Sequence, residues 1–174
     1  MPEIQGVEAI LSQAEKLERR YDWLGTIESC RKALGLVSEQ DFSRMGEIHE
    51  RLGFALYRAA MQAKSVQEFK VRCAKAIENY EESKEFYARL RVPEKTPTML
   101  RCEAMIAYMG YWRSSKVSEK KRLIDECWRL VKECLKASVE AGNPLEYGKA
   151  YNQLSQSALL GFYLEWDFNA RKNK

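Results

Sequence analysis

Apolar residues recur at intervals of three and four along nearly the whole chain, the spacing that lines one face of an α-helix. Val7, Leu11, Ala14 and Leu17 predict a first helix from about Glu3 to Arg20. Trp23, Ile27, Cys30 and Leu34 predict a second, with Asp22 as its N-cap and Gly35 where a C-terminal residue of positive φ is tolerated. Ser38 with Asp41 opens a third helix, striped by Met45, Ile48, Leu52, Ala55, Leu56 and Ala59 to about Ala63. Ser65 followed by Glu68 is a capping box that starts a fourth, carrying Phe69, Cys73, Ala76, Ile77, Tyr80, Tyr87 and Leu90. After the breaking segment RVPEKTP, Thr96 and Pro97 supply a cap and a first-turn proline for a fifth helix to about Ser114. Ser118 with Glu119 opens a sixth, closed by Gly142, and Asn143 with Pro144 repeats the cap-plus-proline device for a seventh running to about Phe168. No stretch alternates with a period of two, so no sheet is expected.

Short connections between seven helices imply antiparallel neighbours, as in stacked hairpins or a bundle. A small residue recurs at a comparable point of each first helix: Ala14, Gly53 after Leu52, Ala107 after Ile106 (with Ala104 an alternative register) and Ser155 after Leu154. In the second helices, TIESCRKAL from Thr26 and AIENYEESKEF from Ala76 share one order of small, Ile-Glu, and aromatic or Cys positions. With EIHERLGFAL from Glu47 and AYNQLSQSA from Ala150, the chain resembles the tetratricopeptide repeat (TPR) family over nearly its whole length. It departs in period, because the small residues lie 39, 54 and 48 apart against about 34 in an ordinary repeat. The resemblance implies an all-α fold of TPR-like stacked antiparallel helical hairpins forming a right-handed superhelix of about seven helices. One domain over residues 1–174 is expected, with hairpins at about 3–36, 39–90 and 97–141 and a last helix at 144–168.

With 174 residues, 45% apolar residues, nine Gly and four Pro, the composition is globular and helix-leaning, and too short for two large catalytic domains. Charge is uneven: residues 1–87 carry 13 Lys/Arg against 15 Asp/Glu, and residues 88–174 carry 16 against 10. That bias gives weak support to an acidic partner on the C-terminal half and little to a nucleic-acid binder, which shows a clustered basic stripe. Five scattered cysteines without a C-x-x-C pair suggest neither disulfides nor zinc, and fit a reducing compartment. The first residues lack a signal-peptide pattern, and ALLGFYL is too short to span a bilayer, so a cytoplasmic protein without membrane contact is expected.

Catalytic chemistry is poorly supplied. His49, the single histidine, has no nucleophile context; Cys127 and Cys134 lie seven apart on one helical face and read as buried small hydrophobes; paired carboxylates such as Glu81 and Glu82 point in different directions on a helix. No glycine-rich phosphate loop exists, and no enzyme activity, cofactor or metal is expected. The basic run KVSEKKR from Lys116, following Trp112 and Arg113, is interrupted by acids.

In the resembled family, first helices line a concave groove that holds a peptide or partner helix. Carried over to matching positions, the groove comprises Glu15, Glu50, Tyr57, Arg58, Tyr108, Tyr111, Asn152 and Gln156, flanked by Leu11, Glu18, Arg19, Phe54 and Trp112. Tyr, Trp and Arg dominate interface hot spots, so this mixture suits a protein-binding scaffold. Some family members capture a C-terminal carboxylate with Lys and Asn; Glu15 and Glu18 speak against that mode. Self-association through Phe162, Trp166 and Phe168 of the last helix is also expected. The alternatives are a regulatory or ligand-sensing helical domain of a longer protein, and weak nucleic-acid binding through the basic half.

Overall fold

The computed structural model describes the backbone of residues 2–172 and the side chains of residues 6–165. Among these are seven α-helices and no strand: α1 (Pro2–Arg19), α2 (Trp23–Leu34), α3 (Phe42–Met61), α4 (Val66–Leu90), α5 (Thr96–Arg113), α6 (Val117–Glu140) and α7 (Pro144–Lys172). They gather into two compact units, Met1–Arg91 with α1 to α4 and Val92–Lys174 with α5 to α7.

In the first unit each helix packs on its chain neighbours. The α3 and α4 pair is the most extensive, because two glycines let two tyrosine rings lie against the α3 backbone. A Cβ at Gly46 would sit 2.7 Å from the Tyr87 ring, and one at Gly53 would sit 3.0 Å from the Tyr80 ring. Both pairs obey one antiparallel register, seven residues up α3 against seven down α4. Ser83 Oγ donates to the Gly46 carbonyl at 2.9 Å in the same seam.

In the second unit α6 lies between α5 and α7. Its apolar face, including Ile124, Cys127, Leu130, Val131 and Cys134, is buried, as are Ala150, Gln153, Ser157 and Leu160 of α7. A buried ion pair ties α5 to α7: Arg101 Nε donates to Glu146 Oε2 at 2.8 Å, with both side chains under a tenth exposed. Burial of such a pair makes loss of one partner far costlier than loss of both.

Helix ends follow the expected caps in part. Asp22, Asp41 and Ser65 accept backbone N–H groups of Gly25, Arg44 and Glu68, and Asn143 accepts that of Glu146. The Ser65 box closes one residue early, since Glu68 accepts the N–H of Lys64. Gly35 is right-handed, with φ −69°, so it supplies no left-handed stop; its N–H bonds the last α2 carbonyls instead. Thr96 does not cap α5: Pro93–Lys95 form a 3-10 turn that runs straight into it, leaving the Thr96 backbone helical. Ser118 does not cap α6, which begins at Val117 after Ser114 Oγ has accepted the Lys116 N–H. Ser155 is no packing point, being exposed with its hydroxyl donated to the Tyr151 carbonyl; Ser157 is buried in its stead. No described helix is long and apolar enough to cross a membrane.

Candidate protein-interaction surfaces

In the first unit an aromatic and cationic cluster forms where α1, α2 and α3 meet. Trp23, the first residue of α2, is buried, and its indole takes Tyr21 edge-on at 6.1 Å and Phe54 edge-on at 5.7 Å. The guanidinium of Arg58 lies over the Trp23 ring at 5.2 Å, a cation–π contact. Arg58 Nε is buried yet donates to nothing. Other half-buried arginines of this unit have acids: Arg51 meets Glu18 at 3.1 Å and Arg72 meets Glu68 at 2.5 Å. Tyr21 and Phe54, exposed by 66% and 39%, thus share the Trp23 indole with a cation that has no acid paired to it among the described residues.

In the second unit the candidate surface is the outer face of α7. From Ala150 to Leu164 the helix carries no charged residue. Its inner side is buried, and its outer side leaves Tyr151, Leu159, Phe162 and Tyr163 each more than half exposed, with Tyr147 stacked on Tyr151 at 6.4 Å. Depletion of charge with enrichment of aromatics is the composition of an interface core. Beside it, between α6 and α7, lies a cleft of about 540 Å³ walled by Val117, Ile124, Trp128, Gly161 and Leu164, with Lys121, Asp125 and Glu165 at its edges. Gly161 admits the Trp128 ring, which a Cβ there would meet at 2.5 Å.

The expected groove residues divide between the units. Glu15 is exposed and paired with Arg19 at 2.6 Å, and Glu50 is half-buried and accepts the Tyr87 hydroxyl at 3.3 Å. Tyr57, Tyr108 and Tyr111 are all buried, whereas Asn152 is exposed and Gln156 half-buried. Arg58 is thus joined by Tyr21 and Trp23, which the carried-over positions omit. The signal for Tyr21 was faint: a tyrosine stands where a helix stop favours glycine. Trp166 and Phe168, named for self-association, lie outside the described side chains; Phe162 is exposed by 59%.

The remaining candidate side chains are engaged locally or buried. His49 Nδ1 lies 3.0 Å from Asn79 Oδ1, with its ring stacked on Phe86. All five cysteines are buried and none is in a disulfide. Burial pushes the Cys30 thiol up to about 12 and that of Cys127 up to about 11, so both stay protonated and poorly nucleophilic at neutral pH. No cluster of three or more metal-ligating side chains occurs among the described residues. The basic run at the start of α6 is answered locally: Arg122 pairs with Glu119, Lys121 with Asp125, and Lys120 lies over the Tyr111 ring. No family model, curated protein or solved structure matches the chain.

Proposed function

We propose that the chain is a non-enzymatic protein-interaction module built of TPR-like hairpins. The close approach of Gly53 to the Tyr80 ring supports that architecture, because Gly53 is one of the repeated small positions and packs an aromatic ring there. One observation carries the function: a fifteen-residue uncharged stretch of α7 with its aromatic side turned to solvent. A soluble domain gains nothing by exposing such a face unless another polypeptide covers it, and aromatic anchors there contribute on the order of 2 kcal/mol each when buried. A partner helix or peptide is the fitting occupant, and the accessible groove residues Glu15, Arg58, Asn152 and Gln156 extend the contact surface within their own units.

The test is affinity capture on the wild-type chain and on Tyr151→Glu with Phe162→Glu, each with and without nuclease. A few stoichiometric proteins retained by the wild type, insensitive to nuclease and lost from the double variant, are expected. Equal retention by the variant overturns the assignment to α7; collapse under nuclease moves the function to nucleic acid. A second reading, a ligand-sensing domain, draws on the cleft between α6 and α7, where the Trp128 indole N–H is buried with no acceptor. Its volume lies within the roughly 300–1,000 Å³ of small-molecule sites, and thermal stabilisation by a metabolite, abolished in Gly161→Leu, would establish it.

A further inference from the structure

The turn between α1 and α2 holds a residue in the left-handed conformation, which is also adopted by Arg91 at the end of α4 and by Gly142 at the end of α6. Tyr21 has φ +59°, its N–H bonds the Glu18 carbonyl at 2.9 Å, and the Asp22 N–H bonds the Leu17 carbonyl at 3.0 Å. This is the Schellman arrangement, in which the left-handed position is usually glycine. The end of α6 repeats it bond for bond: Gly142, φ +62°, bonds Val139, and Asn143 bonds Ser138. A non-glycine residue is strained in that conformation, and such strain concentrates at functional sites, ligand clamps among them. Strain here holds a tyrosine edge, two-thirds exposed, against the Trp23 ring that carries Arg58.

We propose that Tyr21, Trp23, Phe54 and Arg58 form a docking site for an acidic side chain of a partner protein, flanked by apolar or aromatic residues of the same segment. Arg58 is half-buried, fixed on the Trp23 face and without an acid among the described residues, so a carboxylate reaching it there meets a cation already stripped of part of its water. A charge-assisted bond formed there is stronger than one in open solvent. Neighbouring acids do not occupy it. Glu18 is paired with Arg51, and Asp22 accepts the Gly25 N–H. Charge favours protein over nucleic acid as occupant, since over residues 1–91 fifteen Lys/Arg are balanced by fifteen Asp/Glu and no basic stripe leads to the cluster. The inference rests on the reading of the chain as a protein-binding module, but uses the unit that α7 does not belong to.

The test uses two blocked peptides, acetyl-Leu-Glu-Phe-Glu-Leu-amide and its twin with both Glu replaced by Gln. Binding is followed by NMR at the Arg58 Nε–H and the Trp23 indole N–H of the full chain. The acidic peptide is expected to move both resonances and to bind at least tenfold tighter than the amide twin. Tyr21→Gly, which removes the strain and keeps the turn, is expected to lose most of that binding, as is Arg58→Gln. Equal binding of the twins, unmoved Arg58 and Trp23 signals, or full binding by Tyr21→Gly each overturns the proposal. A single-stranded oligonucleotide that moves the same signals while the acidic peptide does not overturns it in favour of phosphate. Capture on α7 that persists while the peptide fails leaves the protein-binding function standing and removes this site alone.

Discussion

Replacing Tyr21 in two steps separates the strain it bears from the contact it makes. Tyr21→Ala keeps a side chain at φ +59° and removes the edge-on contact with Trp23. Because Tyr21 is 66% exposed, little burial is lost, and the cost is about 0.5–1.5 kcal/mol, the range for an aromatic pair. Tyr21→Gly removes the same contact and also the clash between Cβ and the following carbonyl, which is worth about 1 kcal/mol. The Gly variant is therefore expected to be more stable than the Ala variant by about 1 kcal/mol and close to the parent. In a chain of this length that separation is about 2–4 °C in Tm. Far-UV circular dichroism through thermal and urea melts measures it, with Gly142→Ala as the mirror control, expected to lose about 1 kcal/mol at the same point of the same motif. A Gly variant less stable than the Ala variant refutes the strain and with it the reason for a tyrosine at this turn.

Two further outcomes follow from the packing and the thiols. Gly46→Ala places a methyl 2.7 Å from the buried Tyr87 ring and is expected to destabilise by about 1–3 kcal/mol in urea. Gly148→Ala, with open space around it in α7, is expected to stabilise by about 0.5–1 kcal/mol. Cys30 is held protonated to about 12 against an ordinary 9.0, chiefly by burial. Its folded value is raised, so its contribution is intact below pH 9 and is lost as pH climbs toward 12. The slope approaches about 1.4 kcal/mol per pH unit, and urea melts at pH 8 and pH 10 should show Cys30→Ala flattening it.

Helical periodicity, cap residues and the absence of alternating segments were local properties, and the order of seven helices could be read from them because each stripe and stop acts within a few residues. Local chemistry failed where a neighbour decided: Thr96 yielded its capping role to a preceding 3-10 turn, and Gly35 kept a right-handed backbone because its N–H found carbonyls without a reversal. The small residues pointed to close packing, but only the antiparallel register of α3 and α4 set Gly46 on Tyr87 and Gly53 on Tyr80. The same holds for the surfaces. Aromatic residues at helical spacing look alike in a sequence whether they face a core or solvent, so Tyr57, Tyr108 and Tyr111 could not be told from Tyr151 and Phe162. Burial is a property of what packs opposite, and it put the first three inside and the last two outside. An all-helical chain and an uncharged stretch in its last helix are legible in the residues alone. Folding set Arg58 on Trp23 without an acid among the described residues, beside a tyrosine in the left-handed conformation, because the cluster joins the α1–α2 turn and the first residue of α2 to α3, which lie far apart along the chain.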